Sequence, residues 1–159
     1  VLFHSAMPTN LYGPGDNYHS ENSHLLPALI RRFHEAKEAN ADEVVIWGTG
    51  KPRRELMHVD DLASGVLFIL GLKQPPDWVN LGTGIDHSII EIAEIVRQVT
   101  GFQGRIINDF TKQDGTPVKR LDVNLVNSLG WKARIPFEQG VRLAYEDFLQ
   151  ALKNGTARL

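Results

Sequence analysis

The chain has no cysteine among its 159 residues. That excludes a disulfide framework, a zinc–thiolate centre and a cysteine nucleophile supplied from within it. It has no apolar run long enough to span a membrane and no low-complexity tract. Nor is there an excess of basic charge: 17 Lys and Arg against 19 Asp and Glu leave a formal net charge of −2. No general electrostatic attraction to nucleic acid or an acidic membrane follows, so basic residues must act locally. A hydrophobic share of 42% with 23% charged residues fits an ordinary globular protein rather than a disordered one. The length suits one domain with a real core. The default location for such a chain is cytoplasmic. Val1-Leu2-Phe3 is neither an initiator methionine nor a signal leader. It reads as a strand entered partway, so a piece of a longer protein is expected.

Apolar periodicity predicts alternating strands and helices. Residues 1–7 form a strand that runs into a polar loop. The spacing of Leu25, Leu29, Phe33 and Ala36 predicts a helix over about 23–39. Residues 44–47 read as a buried strand, 48–52 as a turn and 54–58 as a short extended segment. Asp60 is placed to cap a helix carrying Leu62, Val66, Ile69 and Leu70. A strand over 78–81 follows. Ser88 and Glu91 have capping-box spacing and open a helix to about residue 100. Residues 105–108 are a further strand. After a long polar loop, Phe137, Val141, Ala144, Tyr145, Phe148 and Leu152 mark a terminal amphipathic helix. The alternation argues an α/β layered domain.

Several constellations invite chemistry. GTGK (48–51) and GTGIDHS (82–88) follow strands, but neither completes G-x-G-x-x-G, since position 53 is Arg and 87 is His. Tight turns are the better reading. In VVIWGTGKPRRELMHVDDLA a strand delivers Trp47 to its end and two arginines follow. An aromatic face beside a guanidinium suits a nucleotide diphosphate, but a core tryptophan with solvated arginines fits equally well. For Asp60 and Asp61, helix capping is favoured. In DGTPVKRLD (114–122), Lys119 or Arg120 could meet an anion and Asp114 a sugar hydroxyl or base amine, although generic surface is the commoner explanation. The six histidines show no metal-ligand spacing. His19 reads as a loop residue and His34 as solvated. His24, in the first turn of its helix, borders both loop and core. The helix dipole there opposes an imidazolium, so a proton-donating role calls for a nearby anion. Packing or capping is otherwise its commoner role.

Taken in order, MPTNLYGPGDNYHSENSHLLPALIRRFHEA, VVIWGTGKPRRELMHVDDLA, NLGTG, DGTPVKRLDV and LGW resemble the GDP-L-fucose synthases. These are members of the extended short-chain dehydrogenase/reductase group, and the resemblance covers nearly the whole chain. NLGTG and R-x-x-x-H-V-x-D are shared widely among nucleotide-sugar epimerases, whereas NSH-x-x-PALIRR and DGTP-x-K are far more specific. The resemblance implies the α/β fold of the C-terminal, substrate-binding part, with residues 1–22 as the last strand and loop of a nucleotide-binding sheet and 23–159 binding a GDP-sugar. It implies 3,5-epimerisation and 4-keto reduction of GDP-4-keto-6-deoxy-D-mannose, with NADPH held mainly by a portion outside the chain. His24 would be the general acid and would also touch the cofactor. Pro8, Thr9, Asn10 and Leu11 would line cofactor and sugar. Asn10, Arg32, Trp47, Arg54, Asp114 and Lys119 would hold the substrate, with Arg54 and Lys119 facing phosphate or ribose and Trp47 beside the nucleotide. A homodimer of the complete enzyme is implied, with no nucleic-acid or membrane partner and no metal.

The chain departs from that pattern. It lacks the glycine fingerprint, the cysteine base and the Tyr-x-x-x-Lys pair: Tyr12, Tyr18 and Tyr145 are followed four residues later by Asp16, Asn22 and Leu149. A fragment that neither binds NADP well nor turns over alone is therefore expected. Two rival readings stand beside this one: another nucleotide-sugar epimerase or dehydratase, and a non-catalytic sugar-nucleotide-binding module.

Overall fold

The computed structural model describes residues 3–159, so Val1 and Leu2, expected in the first strand, lie outside the described residues. Strand β1 (Ser5–Pro8) runs one residue past the predicted end. It pairs in parallel with β5 (Trp78–Leu81), Ser5 opposite Trp78. β2 (Asn10–Tyr12) follows at once and runs parallel to β4 (Arg53–His58), with Asn10 opposite Leu56. β6 (Asp86–Ser88) lies antiparallel on the other edge of β4, placing His87 opposite Arg54. β8 (Val118–Lys119) also pairs with the start of β4, in parallel, with Lys119 opposite Arg54. Because His87 takes one side of Arg54, Lys119 takes the other. β8 and β2 therefore succeed each other along a single edge of β4. A separate parallel pair joins β3 (Glu43–Trp47) to β7 (Arg105–Asp109). The result is a mixed α/β architecture with parallel pairing, as the alternation predicts.

Helix α1 (Leu25–Glu38) buries Leu26, Leu29, Ile30 and Phe33. His24 is its N-cap, with an extended backbone and no side-chain capping bond, not a first-turn residue. α2 (Val59–Leu70) is capped by His58 rather than Asp60. The strand passes into the helix without a loop, and Nδ1 of His58 accepts from Asp60 N at 3.2 Å. The buried stripe of α2 is also not the predicted one. Asp61, Gly65 and Ile69 face inward, while Val66, Leu67 and Leu70 are exposed. Trp131 causes the difference: its ring lies against Gly65 and its Nε1 donates to Ser64 Oγ at 3.0 Å. Asp61 is no mere cap either, because its carboxylate accepts from Arg134 N and Ile135 N, each at 2.9 Å.

The capping box of α3 (Ile89–Thr100) is present in both directions, Glu91 N to Ser88 Oγ at 3.2 Å and Ser88 N to Glu91 Oε2 at 2.7 Å. The polar stretch after β7 contains the short helix α4 (Asn124–Leu129), and α5 (Phe137–Asn154) closes the fold. α1, α3 and α5 enclose one core around Phe33, Ile92, Val96, Val141 and Phe148, which Leu56 joins. Met57, the next residue of β4, joins the other core with Leu81, Val126 and Trp131. Successive side chains of a strand point to opposite faces, so β4 separates the two cores. His34, expected in solvent, is half-buried: its Nδ1 lies 3.1 Å from the Tyr145 hydroxyl and its ring meets Phe148 edge-on. No helix of the described residues is long and apolar enough to cross a membrane.

Candidate active site

The candidate residues gather along one flank of β4. A small cavity of about 170 Å³ is lined by Asn10, Leu11, His24, Leu25, Pro27, Arg54, Leu56 and Lys119. A larger one of about 550 Å³ is lined by Ser20, Glu21, Ser23, Leu25, Leu29, Arg32, Trp47, Arg54, Gln113 and Asp114. Leu25 and Arg54 belong to both, so the two cavities adjoin. A third hollow, of about 360 Å³, holds Pro8, Thr9, Asn10, Lys119, Arg120 and Leu121. It shares Asn10 and Lys119 with the first. Residues far apart in the chain thus converge because Arg54, Asn10 and Lys119 sit on neighbouring strands, while α1 brings His24 and Arg32 alongside.

The larger cavity joins cationic to aromatic groups. Arg54 Nη1 donates to the main-chain oxygens of Arg53 (2.8 Å) and Thr116 (2.6 Å), which orients the guanidinium fork. Arg32 Nη1 donates to Val45 O at 2.8 Å, and burial pulls its guanidinium below the ordinary value. Trp47 is 63% exposed, which decides between the two sequence readings against a core residue. Lys112 Nζ lies 5.6 Å from its ring centroid, within cation–π range.

Asp114 is engaged with the first glycine turn. Oδ1 accepts from Thr49 N at 2.8 Å and Oδ2 from Thr49 Oγ1 at 2.6 Å. These hydrogen bonds, the side-chain one first, hold its carboxyl below the usual carboxylate range. Gly48, at φ +69°, leaves the room this requires, since a Cβ there would run into Asp114 Oδ1. GTGK is therefore a turn that receives the 113–115 wall of the cavity. The GTG of residues 82–84 is also a turn, with Gly84 at φ +71°.

The smaller cavity has His24 at the mouth of α1. The half-buried Asp16 lies within electrostatic reach of it. Burial raises the Asp16 carboxyl, while its hydrogen bond from Asn17 N and the charges of His24 and Arg158 work the other way. Asp16 is an anion near His24 that the sequence reading did not identify. His19 Nδ1 accepts from Glu21 N and Asn22 N at 3.1 and 3.2 Å, shaping the turn that leads to Ser23. Asn10 Nδ2 donates to Glu55 O at 2.9 Å and Thr9 Oγ1 to the same oxygen at 3.2 Å. Glu55 was also missed. Its only sequence signal is a carboxylate beside the apolar pair Leu56-Met57 within a strand.

Pro8, Thr9, Asn10 and Leu11 lie at the carboxyl end of the parallel strand β1, where open α/β sheets receive ligands. Neither of the chain's two glycine turns completes the G-x-G-x-x-G fingerprint that holds a pyrophosphate.

Residues 2–82 match the model of the NAD dependent epimerase/dehydratase family. Over 146 residues the chain is 53% identical to a protein of Oryza sativa subsp. japonica called "Probable GDP-L-fucose synthase 1", covering 92% of this chain and 44% of that one. Over 157 residues it is 46% identical to the GDP-L-fucose synthase of Escherichia coli, covering 93% and 49%. The chain thus spans somewhat less than half the length of these curated relatives. Among solved structures, the GDP-L-fucose synthetase of Naegleria fowleri bound to NADP superposes with a TM-score of 0.91 at 30% identity, over 99% of this chain and 49% of that one.

Proposed function

The chain belongs to the NAD dependent epimerase/dehydratase family, and on that premise we propose that it is the GDP-sugar-binding part of a GDP-L-fucose synthase. The complete enzyme would convert GDP-4-keto-6-deoxy-D-mannose to GDP-L-fucose by 3,5-epimerisation and 4-keto reduction. One observation carries the reading: Arg54 stands where a cavity with an exposed tryptophan meets a cavity with a histidine. A nucleoside diphosphate sugar has this layout, with the base at one end, the diphosphate in the middle and the reacting ring at the other end.

In this arrangement Trp47 offers the base a stacking face and Arg32 and Arg54 neutralise the diphosphate. Asp114 braces the wall behind the nucleotide and can still accept a ribose hydroxyl or base amine, since each carboxylate oxygen has a second lone pair. Lys119 faces phosphate or ribose beside Arg54, and Asn10 borders the sugar. Proton loss beside the 4-keto group leaves an enolate, and inversion requires a proton delivered from the opposite face. His24 is the general acid for that step, with Asp16 and the diphosphate supplying the negative charge that an imidazolium at a helix N-terminus needs. The base and the Tyr-x-x-x-Lys pair would come from the part of the relatives that this chain does not span. The dinucleotide, when bound, supplies hydride for the 4-keto reduction. Pro8, Thr9, Asn10, Leu11 and His24 would border it. A homodimeric, cytoplasmic complete enzyme belongs to the same proposal.

Calorimetric titration with GDP, GDP-mannose and UDP-glucose tests the reading. GDP and GDP-mannose should bind the chain and UDP-glucose more weakly. Preference for UDP-glucose, or binding of none of the three, overturns it.

A further inference from the structure

We propose that Glu55 is the positioning residue that sets the two walls of the His24 cavity relative to each other. Asn10 and Lys119 line that cavity from β2 and β8. These strands have only three and two residues, so ladder hydrogen bonds alone hold them weakly. Glu55 occupies the point on β4 where one gives way to the other. Its main-chain oxygen takes the Asn10 amide at 2.9 Å and the Thr9 hydroxyl at 3.2 Å. Its side chain, 0% exposed, reaches Leu121 N through Oε2 at 2.7 Å. Through Oε1 it reaches Thr83 N at 2.6 Å and Gly84 N at 2.8 Å.

One residue therefore joins the strand that carries Asn10, the segment that continues from Lys119, and the turn after β5. Hydrogen bonds from backbone N–H groups to a buried carboxylate are short and strong, and loss of one acceptor end leaves a buried donor unpaired. Gly82 accommodates the arrangement, because a Cβ there would run into Oε1. Glu55 does not line the cavity, so its influence on a ligand passes through Asn10 and Lys119.

The test is Glu55→Gln, which keeps the shape but turns one acceptor end into an NH₂ facing a backbone N–H. Amide hydrogen exchange followed by NMR should quicken about tenfold or more at Thr83, Gly84 and Leu121, the donors that the side chain holds. The amides of α1, α3 and α5 should keep their protection. Exchange that quickens equally everywhere, or that is unchanged at Leu121, overturns the proposal. If Glu55→Gln does not fold, Glu55→Asp keeps the charge with a shorter reach and should show the same local pattern. A ligand arm rests on the proposed function. Glu55→Gln should weaken GDP-mannose binding more than GDP binding, and no loss for either ligand overturns the role at the cavity. If the unsubstituted chain binds neither, the functional reading fails and the exchange pattern still decides the role of Glu55.

Discussion

Arg54→Ala is the most direct challenge to the two-cavity reading. The guanidinium already gives Nη1 to Arg53 O and Thr116 O, which fixes its plane and leaves its other N–H groups for an anion. A hydrogen bond to a charged group contributes about 1.5–3 kcal/mol. Its loss should therefore raise the Kd for GDP by a factor of roughly 10 to 150. Arg54→Lys should fall between, because an ammonium restores the charge but not the fork. Calorimetry with GDP, GMP and guanosine apportions the loss. The penalty should be greatest for GDP, smaller for GMP and absent for guanosine. The anchor at Thr116 means that Arg54 also steadies the 113–116 loop, so thermal unfolding of each variant must be measured in parallel. Unchanged GDP affinity in Arg54→Ala, or an equal loss for GDP and guanosine in a folded variant, would refute the placement of Arg54 at the diphosphate.

Four further outcomes follow from particular residues. Thr49→Val removes the 2.6 Å hydroxyl bond to Asp114 and should weaken GDP binding about threefold to tenfold, with little change in melting temperature; unaltered affinity would dismiss the latch. Since the Asp114 carboxyl is held below its ordinary value of 3.8, the latch should persist as pH falls to that value and open only below it, which the Thr49 amide shift will report. Burial raises all of Tyr12, Tyr18 and Tyr145 above the ordinary value of 10.0. The unfolded chain then loses protons first, so stability should fall as pH rises past 10.0, with tyrosinate absorbance growing only as circular dichroism is lost. Ser88→Ala deletes one half of the α3 capping box and should cost about 1 kcal/mol in urea unfolding; a cost near zero would mean the box is ornamental.

The parts of the fold that could be read in advance share a cause. α1, α3 and α5 each carry a long apolar period, and the Ser88–Glu91 pair states its cap within four residues, so local chemistry decides them. β2 and β6 could not be read, because three-residue strands exist only through β4. The stripe of α2 turned out differently for a similar reason: Trp131 arrives from a distant segment and selects Gly65 rather than Val66. At the site, residue types and spacing brought Trp47, Arg54 and His24 forward, and the family resemblance added Arg32, but neither gave the exposure of Trp47 or the convergence around Arg54. Glu55 was hidden because its side-chain partners, at 83, 84 and 121, come from other elements.

The segment Arg53 to His58 shows why the register of β4 is so tightly held. Arg53 donates Nε to Asp86 at 2.7 Å, Arg54 lines both cavities, Glu55 meets backbone N–H groups on the opposite face, Leu56 and Met57 enter different cores, and His58 caps α2. A slip of one residue would invert every side chain. A carboxylate would then face the proposed diphosphate and a guanidinium would face buried N–H donors, so both charges would have the wrong sign. Leu56 and Met57 would exchange cores as well. The alternation that makes the strand pack is thus the same one that keeps ligand contact on one face and its bracing on the other.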